Sequence, residues 1–338
     1  MKARLIDIGS TNIKSALFDT DNNLFTEEKF IPFPAANEKK IPFYELNMEK
    51  VESCIRALLG KGHDVIFICT QMHGYVLIKK NGSVSNYISW KDKRAGLAYV
   101  PASLPVEYGV NMKVNLPRAS VEYMRKYMPE ALTDVNTFCT LGSYIAYRLC
   151  KQNASHITDL AASGFYHIKS GIADRYFLSM PKAFLKVDKI GMCDDFDVYS
   201  PCGDQQTAVF GSFAEDSIVL NIGTASQMCC VGNEILNGDF ENRPYFYGKI
   251  LYTVTGLPGG ELLEKNSDAK MYDIFRLAWR AALEKLPPRN MITVTGGAVY
   301  YKKYLIKRVL DELGMKYTFS SGNETMRGLA RMAKEFIK

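Results

Sequence analysis

The sequence predicts an α/β protein of two related domains facing each other across a cleft, and three observations carry that prediction. Short apolar strand patterns alternate with helical periodicity in both halves of the chain, which is the signature of sheets covered by helices. A strand–turn–strand pattern occurs twice, as LIDIGSTNIKSALFD at residues 5–19 and as VLNIGTASQMCCVGN at residues 219–233. The length, 338 residues, fits two domains at roughly 100–200 residues each.

In chain order, strands are expected at 3–8, 13–19 and 24–31, followed by a helix from an Asn47 cap to about Leu59 that Gly60 and Gly62 close. A buried strand, DVIFICT, comes next, and Asn81-Gly82 joins GYVLIKK to SVSNYISW as a hairpin. Residues 118–128 and 142–151 read as amphipathic helices, and 170–200, with Pro181 and scattered turn residues, as irregular. The expected domains are 1–197 and 198–338. In the second, the repeated hairpin over 217–231 leads to a strand at 250–255 that ends in TGLPGGELL. A helix over 271–286 stops at Pro287-Pro288, MITVTGG gives a buried strand, and a helix from Tyr300 to Leu313 precedes a short strand and a last helix.

Composition removes several function classes. With 47% hydrophobic and 23% charged residues the chain reads as an ordinary globular protein, and its apolar runs, such as Val65 to Cys69, are strand-sized rather than membrane-spanning. The N-terminus, MKARLIDIGS, enters a strand pattern at once, so a cytoplasmic location is expected and no membrane association. A net charge of +6, spread along the chain, suits a soluble surface or a small anionic ligand and lacks the dense basic patch of a nucleic-acid binder. Eight cysteines without CxxC spacing or adjacent histidines read as reduced residues, most of them in the core.

The doubled hairpin is the first candidate site. The chain has neither GxxxxGK[ST] nor a strand-linked GxGxxG, yet turns of one glycine and small hydroxyl residues can present backbone N–H groups to an anion. Gly9, Ser10 and Thr11 in one copy, with Lys14 nearby, and Gly223 and Thr224 in the other would clamp a polyphosphate from two sides. Asp7 would hold a hydrated magnesium ion, which prefers carboxylate, water and phosphate oxygens. Two unrelated hairpins with convenient turn residues are the competing reading. A second cluster, Gln71, Met72 and His73, ends the buried strand at its C-terminal side, where α/β folds place ligand contacts. Alone, His73 is equally an ordinary histidine. Trp90, Asp92 and Arg94 add an aromatic surface, an acceptor and a forked donor, the inventory of a sugar-binding wall, or else a solvated strand end. Asp204, after a glycine at a strand-to-helix junction, is either a helix cap or a carboxylate that accepts the proton of an attacking hydroxyl.

Taken together and in order, DIGSTNIK, TQMHG, SWKDKR, GDQQTAVFG, NIGTASQ and VTGGAVYYKKYL resemble the successive motifs of the FGGY carbohydrate kinases, within the actin-like ATPase superfamily. GDQQ, VLNIGTASQ, TDLAASGFY and RPYFYGKILYTVTGLPGGELL resemble the sedoheptulokinase branch of that family more than glycerol kinase. The resemblance covers almost the whole chain. It implies two ribonuclease-H-like (actin-like ATPase) domains, ATP and magnesium as cofactors, and a small-molecule sugar bound mainly by the N-terminal domain. It implies Gln71, Met72 and His73 as sugar contacts, Gly296, Gly297 and Ala298 as the adenosine motif, and Asp204 as the catalytic base. The implied reaction is phosphorylation of a ketose, sedoheptulose or D-xylulose, with a weakly active or inactive sugar- and nucleotide-binding relative as the alternative. A homodimer stays open beside a monomer. One departure stands out: between Leu263 and Tyr272 only EKNSDAKM remains where the family carries a longer segment.

Overall fold

Two sheets with the same strand order form the framework, in a computed structural model whose described residues are 1–37, 42–97, 103–223 and 225–337. In the first, Lys2–Ile8 pairs antiparallel with Asn12–Asp19, which pairs antiparallel with Leu24–Pro32. On its other side Lys2–Ile8 runs parallel to Val65–Thr70, itself parallel to Phe196–Tyr199. In the second, Ile218–Ile222 pairs antiparallel with Ser226–Gly232, and that strand antiparallel with Ile250–Leu257. Parallel neighbours Met291–Thr295 and Lys316–Phe319 complete it. Numbered within each sheet, both read 3-2-1-4-5, the ribonuclease-H-like order, so the repeat seen in sequence is a repeat of topology. The copies differ in register by one residue: Asp7 faces Lys14 across the first hairpin, and Asn221 faces Gln227 across the second, whose turn is one residue shorter.

Local signals explain most boundaries. Lys2–Ile8 is buried on both faces from Ala3 onward, as a central strand with helices on each side must be. Asn47 caps the helix Met48–Leu59 by accepting from the Lys50 amide at 3.2 Å, and the helix buries Met48, Val51, Ile55 and Leu58 along one stripe before Gly60 turns the chain at φ +64°. Burial of each such side chain stabilises by about 1.5–3 kcal/mol, so Val51→Asp would detach this helix from the sheet. The long helix begins earlier than expected, at Asp268, because Ser267 caps it.

The region 170–200 departs from expectation. Rather than irregular, it carries the strands Lys182–Phe184, Lys189–Cys193 and Phe196–Tyr199, the last two joined as a hairpin through Asp194-Asp195. Lys189–Cys193 is an edge strand with no fully buried residue, so it shows none of the apolar alternation by which strands are recognised. Glu241–Pro244, at the edge of the second sheet, escaped expectation because ENRP carries no apolar alternation, although all four residues are buried.

Two helices tie the halves together. Asp204–Ser212 follows Cys202–Gly203, which extends the first sheet beside Val65–Thr70, and Glu324–Glu335 ends the chain. They cross almost backbone to backbone: a Cβ on Gly211 would come within 2.0 Å of the Glu324 carbonyl, and one on Gly328 within 2.0 Å of the Thr207 carbonyl. Both glycines are required by that approach. Val209, Phe210, Met326, Leu329 and Met332 share one core with Leu5, Phe18 and Phe67 of the first sheet and Val219 and Leu251 of the second. Among the described residues no helix is long and apolar enough to cross a membrane, all eight cysteines are free thiols, and no cluster of three or more metal-ligating side chains occurs.

Candidate active site

Two cavities meet at Asn221, the only residue on the walls of both among those described. The larger, about 640 Å³, takes Ser10, Gln71, Met72, His73 and Trp90 from the first half and Asp204, Gln205 and Arg243 from beyond it. The smaller, about 400 Å³, is lined by Lys14, Gly296, Gly297, Tyr300, Asn323 and Thr325, among others.

Asp204 is the first residue of its helix, and the Gly203 N–H before it donates to Thr158 Oγ1 at 3.1 Å. The carboxylate makes no cap; Oδ1 accepts only the adjacent Gln205 amide, at 2.8 Å, and faces the larger cavity. Burial, then the nearby Asp7 charge, raise its pKa to about 7, against the lowering pull of the Gln205 amide and Arg243. Asp7 is itself buried, and its Oδ2 accepts from Thr325 Oγ1 at 2.7 Å, with Lys14 Nζ at 3.8 Å. Burial pushes its pKa up, opposed by Thr325 and Lys14. Asp7 lines neither cavity, but it and Asp204 repel each other, and a cation close to both would be stabilised.

His73 stands at φ +63°, with Nδ1–H donating to the Ala162 carbonyl at 2.7 Å, which leaves Nε2 as an acceptor. Burial, with Arg243 and Lys113 adding to it, lowers its pKa to about 4, so the ring is neutral at ordinary pH. Opposite lies a charged group that sequence reasoning missed. Arg243 grips Glu241 through Nε at 2.8 Å and Nη2 at 2.6 Å, and donates to Gln205 Oε1. Lys113 reaches across from the first half to Glu241 at 2.6 Å and Thr255 Oγ1 at 2.8 Å. Although burial opposes it, Arg243 and Lys113 hold the Glu241 pKa down at about 2. The usable signal was Glu-x-Arg at 241–243, since alternate residues of a strand share a face. Thr325 carried no signal, because its bond to Asp7 spans 318 positions.

Trp90 lines the larger cavity, held by Asn115 Nδ2 on its carbonyl at 3.1 Å. Asp92 and Arg94 are not on that wall. They form a buried bidentate pair, 2.8 Å for each bond, that also fastens Glu45 at 2.7 Å and the Tyr44 amide at 2.7 Å, and so brace the loop bearing Trp90. Gly9 donates its N–H to Asn12 within the first turn, and Gly223 accepts from Gly260 N–H at 2.7 Å. Ala298 is buried and donates to the Ile222 carbonyl at 3.2 Å, joining the start of the helix Val299–Glu312 to the second hairpin. Thr11 is exposed at the tip of the first turn, and Thr224 lies outside the described residues.

The residues suit a nucleotide and a hydrated divalent cation. Gly296 turns at φ +97°, and a Cβ there would sit 2.6 Å from the Ile222 carbonyl, so bare backbone faces the smaller cavity. The oxygens of Asp7, Asp204 and Thr325 are carboxylate and hydroxyl groups, as magnesium prefers.

Comparison with known proteins follows the same line. The model of the FGGY family of carbohydrate kinases, N-terminal domain, matches residues 3–182. No curated protein sequence matches the chain. The fold is similar to a ligand-bound xylulose kinase from Lactobacillus acidophilus (TM-score 0.82, 12% identity, covering 98% of this chain and 89% of that one). It is also similar to a gluconate kinase from the same organism (0.82, 13%, 98% and 89%) and to Plasmodium falciparum glycerol kinase with ADP (0.79, 12%, 97% and 88%). At such identities the likeness is one of fold.

Proposed function

The chain belongs to the FGGY family of carbohydrate kinases, and on that premise we propose that it transfers the γ-phosphoryl group of ATP to a primary hydroxyl of a ketose, sedoheptulose or D-xylulose. The observation that carries this reading is the position of Asp204, electrostatically coupled to Asp7 and on the wall of the larger cavity, which meets the smaller one at Asn221. In this reading the larger cavity takes the sugar and the smaller the nucleotide. Residues 1–197 supply part of the sugar wall, with Gln71, Met72, His73 and Trp90 among them, and the first phosphate turn; residues 198–338 supply the rest of that wall, the base, the second turn and the adenosine motif.

When bound, magnesium-ATP supplies the phosphoryl group and the charge that neutralises its oxygens. Asp7 holds the hydrated cation, with Thr325 fixing one carboxylate oxygen and Lys14 beside it. Ser10, Thr11 and Gly223 would meet the phosphates, and Gly296, Gly297 and Ala298 the adenosine. In the sugar cavity Gln71 and Asn115 donate or accept, His73 Nε2 accepts, and Met72 and Trp90 give apolar faces. Asp204, ionised above pH 7, accepts the proton of the attacking hydroxyl as its oxygen bonds to phosphorus. Rigid placement does the rest, because a loose transition state needs positioning more than covalent help. The xylulose kinase neighbours favour a pentulose, whereas the GDQQ and RPYFYGK segments favour a heptulose. ADP release measured over a panel of pentuloses, heptuloses, pentitols and aldonates tests the reading. Stimulation by a ketose is expected; release that no sugar raises would overturn it.

A further inference from the structure

Beyond the glycines of the adenosine motif, we infer that Tyr300 is the platform on which the nucleotide base stacks; this rests on the reading of the smaller cavity as the nucleotide site. Tyr300 is the one aromatic side chain on that cavity's wall among the described residues. It is 76% exposed, and its ring has no aromatic or cationic partner among the described residues. An aromatic ring left open on a cavity wall is the ordinary form of a base-stacking surface, because every base has a π-face.

The ring is placed rather than loose. Tyr300 follows Gly297 at the start of the helix Val299–Glu312, and its N–H donates to the Gly297 carbonyl at 3.2 Å. Its hydroxyl rests over Gly322: a Cβ there would come within 2.0 Å of the phenol oxygen, and Gly322 turns at φ +88°. The ring thus spans from the adenosine glycines to the loop before the last helix, across one side of the cavity. The neighbouring Ser320 hydroxyl accepts from Arg327 Nη2 at 2.7 Å and from the Gly322 N–H at 3.4 Å, which leaves its own O–H to offer a base edge. Stacking area, more than edge recognition, sets the affinity of this end of the cavity.

The test is calorimetric binding of magnesium-ATP and of magnesium tripolyphosphate, which has no base, to the full chain without sugar. Tyr300→Ala should weaken ATP about tenfold or more and leave tripolyphosphate unchanged, while Tyr300→Phe restores ATP binding. Tyr304→Ala, one turn on, 83% exposed and off the cavity wall, should alter neither, and both alanine variants should keep the wild-type melting temperature. Equal ATP affinity in wild type and Tyr300→Ala would overturn the platform alone. A parallel loss for ATP and tripolyphosphate would also overturn it, since the residue would then be shaping the phosphate end. Wild-type protein that binds neither probe would overturn the nucleotide site itself.

Discussion

The two hairpins are copies in topology, but they differ by one residue in the turn and they differ in charge. Asp7 in the first is buried, held by Thr325 and flanked by Lys14, and stands within electrostatic reach of Asp204. Its counterpart Asn221 is neutral and donates Nδ2–H to Thr295 Oγ1 at 3.1 Å on the neighbouring parallel strand. One ladder position therefore holds a negative charge that needs a cation, and its twin an amide that bridges two strands beside the cavity junction. The lesson is that a duplicated turn can divide labour largely through a single side chain, while the antiparallel pairing of both copies is kept.

The sharpest way to break this asymmetry is to remove the group it serves. Asp204→Asn should lower kcat by about 10²–10⁴-fold with ATP binding retained, measured by ADP release and by calorimetry. Making the first hairpin like the second, Asp7→Asn should raise the magnesium concentration for half-maximal rate by roughly a hundredfold, read from a magnesium titration. The converse, Asn221→Asp, loses the amide bond to Thr295 and sets a second carboxylate against the phosphates. It should weaken ATP on the order of tenfold, and high salt should relieve part of the loss.

The smallest effects are on pH. The rate profile should bend near pH 7 and fall about tenfold per unit below it, as Asp204 becomes protonated. Because the Asp7 charge raises that pKa, Asp7→Asn should move the bend to lower pH. Stability runs the other way. A carboxyl whose folded pKa lies above its unfolded value binds protons more tightly when folded, so the stability it contributes in acid is lost between about pH 4 and pH 7. Asp204→Asn should thus melt a few degrees above wild type at pH 8 and level with it near pH 4. Equal melting temperatures at both pH values would show that the carboxylate is not under electrostatic strain.

How much of this was legible follows from distance along the chain. The hairpins, the capped helix after Asn47 and the buried strands announce themselves within a dozen residues, through periodicity and turn chemistry. Asp204 was legible because a short motif carries it. Thr325, Lys113 and the Glu241–Arg243 pair were not, since their meaning arises only when segments far apart in sequence close on one cavity. Asp92 and Arg94 show the opposite failure: their chemistry suited a sugar wall, yet two opposite charges two positions apart satisfied each other and braced the loop behind Trp90.

The glycine crossing of Asp204–Ser212 over Glu324–Glu335 has a mechanical consequence. With no side chain between the helices at Gly211 and Gly328, the backbones themselves meet at the crossing, and the apolar side chains around it lock the two helices into one core. Asp204 stands at the head of one arm, and Thr325, which grips Asp7, at the head of the other. Because Lys2–Ile8, which bears Asp7, and Cys202–Gly203, just before Asp204, both pair with Val65–Thr70, shutting the cleft would bring the second hairpin to a proton acceptor and a cation-holding carboxylate already set in place on one sheet.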